Sequence, residues 1–263
     1  MHVVGSMNRR AGTRRLILCA ALAMAVGVPS GIAFQEVKGP APKVGDYKLN
    51  PKDGQRYVWI PPGSFTQGCS PGDRECYEDE TPTRKVTLTR GFWLGQTEVP
   101  QSAFQKIMDY NPSVFEGSTL PVESVSWVEA DEYCRKVGGR LPSESEWEYA
   151  ARGGTNGARY GNLNDIAWYW NNANYTSHPV GKKKPNAYGL YDMLGNVVEW
   201  TYTWYTVQHN QENINPTGPS IAEYKSLRGG GWWDEPDLIR VSYRRRFEPG
   251  DEDYNIGLRC VSE

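Results

Sequence analysis

From Arg56 onward the apolar positions take up the short period of strands. Tyr57-Val58-Trp59-Ile60 is an apolar run stopped by Pro61-Pro62-Gly63; Val86-Thr87-Leu88-Thr89-Arg90 alternates apolar and polar; Phe92-Trp93-Leu94 follows a glycine. Runs of this kind, bounded by Pro and Gly, predict an early antiparallel hairpin. Further on the period lengthens. Ser126-Trp127-Val128-Glu129 is a capping box that opens onto Trp127, Ala130, Cys134 and Val137, with a stop at Gly138-Gly139. Ser143-Glu144-Ser145-Glu146 is a second box, and its helix runs through Trp147 and Tyr149 to Gly153-Gly154. A third helix starts near Pro100 and carries Phe104, Ile107 and Met108. After Gly153 the chain has short runs, tight turns and many aromatics, with no long periodic segment and no repeat.

Composition agrees with a loop-rich domain. There are 28 Gly and 18 Pro in 263 residues, enough punctuation to favour short elements over a helical bundle. The 10 Trp and 16 Tyr can fill a core while hydrogen-bonding through a polar edge, which suits a domain poor in regular structure. The formal net charge is −2 and no basic stripe crosses the body of the chain, which argues against a nucleic-acid partner.

The first residues read as a targeting segment. Arg9, Arg10, Arg14 and Arg15 precede an apolar run, Leu16 to Val28, of signal-peptide length and too short to span a bilayer. Gly31-Ile32-Ala33 offers a cleavage site, and both a general secretory and a twin-arginine signal fit. The expected organisation is a signal peptide over 1–33, a polar linker over 34–50 and one domain over 51–263. The expected location is periplasmic or extracellular, with no membrane-spanning segment. Without residues 1–33 the chain keeps 25 basic against 31 acidic residues and stays mildly acidic.

Cysteine usage follows from export. Apart from Cys19 there are four, Cys69, Cys76, Cys134 and Cys260, an even number that reads as two disulfides among three pairings. The favoured set is Cys69–Cys76 and Cys134–Cys260. Pro71-Gly72 can turn the first loop back on itself; the second bridge would tie a mid-chain helix to the last strand. In the chain-entropy picture the short loop stabilises by ~2.5 kcal/mol and the long one by about 5 kcal/mol.

Several blocks, in order, carry a family likeness. They are Pro61-Pro62-Gly63-Ser64-Phe65, Thr97-Glu98-Val99-Pro100, the stretch from Gly139 to Gly154 (GRLPSESEWEYAARGG), the stretch from Pro185 to Trp200 (PNAYGLYDMLGNVVEW), Arg228 to Trp232, and Ile256-Gly257-Leu258-Arg259-Cys260. Together they resemble the formylglycine-generating enzyme (sulfatase-modifying factor) family. The resemblance implies an α+β fold, irregular, loop-rich and C-type-lectin-like, with short antiparallel strands and a few helices. It also implies the Cys134–Cys260 bridge.

Two metals enter with the resemblance. Asp192, the carbonyls of Gly195 and Val197, and Glu199 form an oxygen-only set within eight residues, which suits calcium. The family's structural calcium at this spacing implies that these four would hold one here. The family's copper(I), by contrast, is held by two cysteines in the segment after the Gly-Gly turn, since a soft ion prefers thiolates. Here that segment, Gly229 to Phe247, has no cysteine, and none lies between Cys134 and Cys260. No copper is expected. Related iron enzymes use several histidines, and this chain has only His2, His178 and His209.

The same segment instead carries Trp232, Trp233, Asp234, Glu235, Arg240, Arg244, Arg245 and Arg246. Trp232, Asp234, Glu235, Arg240 and Arg244 are the candidate cleft residues. Aromatics beside acids and arginines can recognise a peptide, a sugar or a planar cofactor, and a peptide or protein ligand is the expected partner. The expected function is a non-oxidase binding or maturation module. The alternatives are a non-copper enzyme on this scaffold acting on a peptide or peptide-derived metabolite, or a formylglycine-generating oxidase.

Overall fold

A computed structural model describes residues 41–207 and 213–262. The expected signal peptide, Cys19, His2 and His209 lie outside the described residues. In chain order the elements are β1 (Tyr47–Leu49), β2 (Arg56–Ile60), β3 (Gly63–Gln67), β4 (Arg84–Leu88), β5 (Phe92–Gly95), α1 (Gln101–Met108), α2 (Trp127–Lys136), α3 (Glu144–Arg152), α4 (Leu163–Ile166), β6 (Val198–Trp204), β7 (Lys225–Arg228), β8 (Arg244–Phe247), β9 (Ile256–Gly257) and β10 (Val261–Ser262).

The early strands pair as a nest rather than as one simple hairpin. β3 pairs with β4 from Gly63↔Leu88 to Gln67↔Arg84. Outside that hairpin β2 pairs with β5, and β5 also takes β10, so the sheet runs β1-β2-β5-β10. A second four-stranded sheet runs β8-β7-β6-β9, with β9 parallel to β6. β1 lies inside the stretch expected to be a linker, so the folded body begins earlier than residue 51. Tyr47 and Leu49 are exposed and only Lys48 is half-covered, because β1 is a sheet edge without a core face. Its sequence therefore lacks the apolar signal of a core strand.

The capping boxes form as their spacing predicts. Ser126 Oγ accepts from the Glu129 amide while the Glu129 carboxylate accepts from the Ser126 amide, and Ser143 and Glu146 do the same at α3. α1 also forms, ending at Asp109 in the left-handed region. α2 turns Ala130, Tyr133 and Cys134 inward, against Phe104 of α1, Trp200 of β6 and Ile256 of β9. α3 turns Trp147, Ala150 and Ala151 into a second apolar cluster with Val58, Leu94, Leu190, Met193 and Ile239.

Both expected disulfides are present. Cys134–Cys260 joins α2 to the segment before β10 across 126 residues, with Cα atoms 5.5 Å apart. Cys69–Cys76 closes the loop after β3, with Cα atoms 5.7 Å apart.

Much of the interior is ionic. Arg228, Arg240 and Arg259 are among the largest fully buried side chains. Each meets a buried carboxylate: Arg228 the Glu148 side chain, Arg240 that of Glu80 at 2.7 Å, and Arg259 that of Glu199 at 2.6 Å. With little regular backbone, such pairs and their carbonyl contacts join segments that have no shared ladder.

Candidate functional site

The segment from Gly229 to Phe247 opens with a tight turn in which Asp234 is the staple. Its Oδ2 accepts from the Gly231 amide at 2.8 Å, and its Oδ1 accepts from Arg245 Nη2 at 2.6 Å. Its own amide donates to the Gly231 carbonyl. Asp234 is 4% exposed, so its charge is spent on the turn. Gly231 is required by a close approach, since a Cβ there would lie 2.1 Å from Asn255 Oδ1. Glu235 is exposed and caps the short 3-10 turn Pro236–Leu238.

The five candidate cleft residues do not gather into one cleft. Arg240 points away, into the loop closed by Cys69–Cys76, where it meets both oxygens of Glu80 and, at 3.1 Å, Asp73. Burial alone would raise the Glu80 carboxyl, but hydrogen bonds from Arg240 and Ser242 win and hold it below its ordinary value. Arg244 is also buried: Nε and Nη2 fork onto Glu144, and Nη1 donates to the carbonyls of Asp79 and Thr206. Trp232 is buried, edge-on to Phe115 at 5.4 Å and tilted against Tyr254 at 5.7 Å. Three of the five thus have structural partners only, Asp234 shapes the turn, and Glu235 alone reaches solvent.

What does face solvent is aromatic. Trp233 is 46% exposed, because in a turn two adjacent rings point opposite ways and Trp232 takes the inside. Trp170 stands perpendicular to it, with centroids 4.8 Å apart, and Tyr175 closes the group at 5.2 Å from Trp170 and 5.8 Å from Trp233. The Trp170 amide donates to the Asp234 carbonyl, locking the two segments together. Asn174 and Tyr175 both lie in the left-handed region, φ 52° and 60°. This left-handed turn, which costs about 1–3 kcal/mol per residue for a non-glycine chain, presents the Tyr175 ring, 62% exposed, on this face. Trp233 lies in the expected segment; Trp170 and Tyr175 come from a loop with no periodic signal. The one hint of them in sequence was the density of aromatics between Trp168 and Tyr175.

The turn over 192–199 brings the expected calcium ligands into a buried region of unequal fit. Asp192 Oδ2 accepts from the Gly181 amide at 2.6 Å, while its Oδ1 is buried with no hydrogen-bond partner. Glu199 is already neutralised. Arg259 donates to both of its oxygens and Trp147 Nε1 to one, at 2.6–2.7 Å. Glu98 lies close by, accepting from Asn196 Nδ2 and the Val197 amide. Burial first, then the charges of Asp192 and Glu199, push Glu98 up, and burial pushes Asp192 up to about 6. Among the described residues no three His, Cys, Asp or Glu side chains converge as a metal site. A cation here would therefore rest on Asp192 and backbone carbonyls, with Glu199 outside its shell. His178, for its part, stacks on Trp168 at 3.8 Å, and Nε2 bonds the Ala173 carbonyl.

No helix among the described residues is long and apolar enough to cross a membrane. The chain matches the model of the sulfatase-modifying factor enzyme 1-like domain over residues 43–263. It is 30% identical over 240 residues to the chaperone protein LppX of Paenibacillus barcinonensis, covering 68% of this chain and 82% of that one. It is 29% identical to the formylglycine-generating enzyme of Mus musculus, covering 79% and 75%. It also spans 38% of the length of the serine/threonine-protein kinase Pkn1 of Chlamydia trachomatis, at 32% identity. Among solved structures, PvdO from Pseudomonas aeruginosa superposes with a TM-score of 0.78 at 26% identity, over 85% of this chain and 100% of that one. The chain belongs to the formylglycine-generating enzyme and sulfatase-modifying factor family.

Proposed function

We propose that this chain is an exported, non-oxidase binding module of its family, holding a peptide or protein ligand on the face formed by Trp233, Trp170 and Tyr175. The observation that carries the reading is that Trp233 and Tyr175 are exposed and braced by the half-buried Trp170, while Asp234, Arg240 and Arg244 of the same segment are held inside the fold. Large aromatics anchor protein ligands at little entropic cost. The chemistry of the oxidase needs two thiolates near the turn, and the four cysteines of the body are joined as Cys69–Cys76 and Cys134–Cys260. The two disulfides suit an oxidising compartment outside the cytoplasm. The similarity to a protein named a chaperone supports a holding role.

Incubation with copper and a cysteine-containing sulfatase peptide is expected to give no formylglycine; turnover would overturn the reading. Trp233→Ala should weaken capture of the ligand by roughly 30-fold, about 2 kcal/mol, while stability moves by less than about 1 kcal/mol. Unchanged capture by this variant would place the ligand elsewhere.

Calcium at Asp192 is the second part of the proposal, supported by the unpartnered buried Oδ1. Its role is structural. With calcium well above its dissociation constant, chelation should lower Tm by about 5–10 °C, and Asp192→Asn should erase that difference. A Tm indifferent to chelator removes calcium from the account.

A further inference from the structure

A groove of about 610 Å³ opens on another part of the surface, between the β4–β5 turn, the start of α3 and β6. It shares no residue with the Trp233 face. Two aromatic walls line it. Trp59 packs against Gly91, where a Cβ would sit 2.2 Å from its ring, and leans edge-on against Trp93 at 5.2 Å. Tyr202 is 42% exposed, with its amide bonded to the Pro142 carbonyl. Between them Arg140 forks onto Glu146 with two 2.7 Å bonds. Arg90 is exposed and makes no hydrogen bond or ion pair among the described residues. Thr217 is exposed at the rim.

The charges define what can enter. Arg140 and Glu146 cancel, so Arg90 leaves the groove one positive charge. The strand backbone around it is already paired. The outer edge of β4 is sealed by the 213–215 segment, with the Thr87 amide on the Asn213 carbonyl and the Asn215 amide on the Thr87 carbonyl. Thr89 and Asn215 bond each other. β5 is paired on both sides, and the amides at the start of α3 are held by Ser143 and Glu146. An extended peptide would find no strand edge to join. The ligand must be read by side chains alone: flat apolar faces for the rings, hydroxyls for the Arg140–Glu146 pair, and one anion for Arg90.

We infer that this groove is a second ligand site, taking a saccharide that carries one carboxylate, of the uronic-acid type. The CH faces of the sugar stack on Trp59 and Tyr202. Its hydroxyls accept from Arg140 and donate to Glu146, and its carboxylate pairs with the Arg90 guanidinium. The volume is that of an ordinary small-ligand site.

The test is titration calorimetry on the full chain with a galactose trisaccharide in which one unit is replaced by galacturonate, and with the neutral galactose trisaccharide. The acidic sugar is expected to bind at least tenfold more tightly than the neutral one. Arg90→Gln, at an exposed position, should fold normally and reduce acidic-sugar binding about tenfold, to the neutral level. Trp59→Leu should weaken binding of both sugars, and Trp233→Ala should change neither. Equal binding of the two sugars, unaltered binding by the Arg90 variant, no saturation at millimolar sugar, or displacement by a short peptide carboxylate at lower concentration would each overturn the inference.

Discussion

Glu148→Gln is expected to destabilise the chain by about 3–5 kcal/mol, visible as a large fall in the urea midpoint. Glu148 is 1% exposed and sits in the middle of α3. Its Oε1 accepts from Arg152 Nε at 3.0 Å, Arg152 Nη2 at 2.7 Å and the Gly68 amide at 2.9 Å. Its Oε2 accepts from Arg228 Nη2. The glutamine is nearly the same size, so no cavity forms. It removes one charge and turns one acceptor into a donor, which faces Arg228 if it takes the place of Oε2 and Arg152 with the Gly68 amide if it takes that of Oε1. Arg228 is fully buried and Arg152 is 3% exposed, so neither can turn to water. A buried pair adds little over an apolar equivalent, but breaking it leaves a buried charge uncompensated. Arg152 would keep only neutral acceptors, the Ser70 hydroxyl and the Gly68 carbonyl among them, and Arg228 would keep Glu144 at 3.8 Å. A total stability of about 5–15 kcal/mol leaves little margin for such a loss. The control is Lys184→Ala, which removes an ion pair to Asp165 whose side chains are 73% and 49% exposed. That change should move stability by under about 1 kcal/mol. A Glu148 variant that behaves like the Lys184 variant would mean that the buried network adjusts freely.

This network also marks where the sequence stopped being readable. The helices were legible because a capping box is a local device: Ser126 and Glu129, or Ser143 and Glu146, find each other within one turn. The Cys69–Cys76 bridge was legible for the same reason. The fates of Arg240 and Arg244 were not. Their carboxylates, Glu80 and Glu144, lie 160 and 100 residues away in sequence. No local pattern tells whether an arginine beside a glycine turn faces a cleft or the core. Asp234 reads in the sequence as a cleft residue because its partners, the Gly231 amide and Arg245, show only in the folded turn. The strand order was hidden likewise, since the whole β3–β4 hairpin lies in sequence between β2 and its partner β5. The exposed aromatic face depends on two neighbouring left-handed residues, Asn174 and Tyr175, and on the choice of Trp232 rather than Trp233 as the buried ring.

Removing the two disulfides separately is expected to give unequal losses, and the order is the informative result. The Cys134→Ala, Cys260→Ala pair opens a bridge spanning 126 residues; the Cys69→Ala, Cys76→Ala pair opens one spanning 7. Loop-closure entropy assigns about 5 kcal/mol to the first and ~2.5 kcal/mol to the second. Local structure sharpens the contrast. Cys134 and Cys260 are buried in the cluster with Tyr133, Leu141 and Trp200, so alanine there also leaves unfilled space. The same bridge holds α2 near β10, and β10 is the strand through which the chain's end closes the first sheet on β5. Cys69 and Cys76 are only half-buried, and their loop keeps a second fastening, since Asp73 and Glu80 both hold Arg240. Paired alanine variants avoid a lone reactive thiol, and equilibrium unfolding in urea under identical conditions gives both losses on one scale. Equal losses, or a larger one at Cys69–Cys76, would mean that the unfolded chain already keeps α2 close to its C-terminal partner. The long bridge would then constrain little, and the charged contacts of Arg259 with Glu199 and of Arg228 with Glu148 would carry the closure instead.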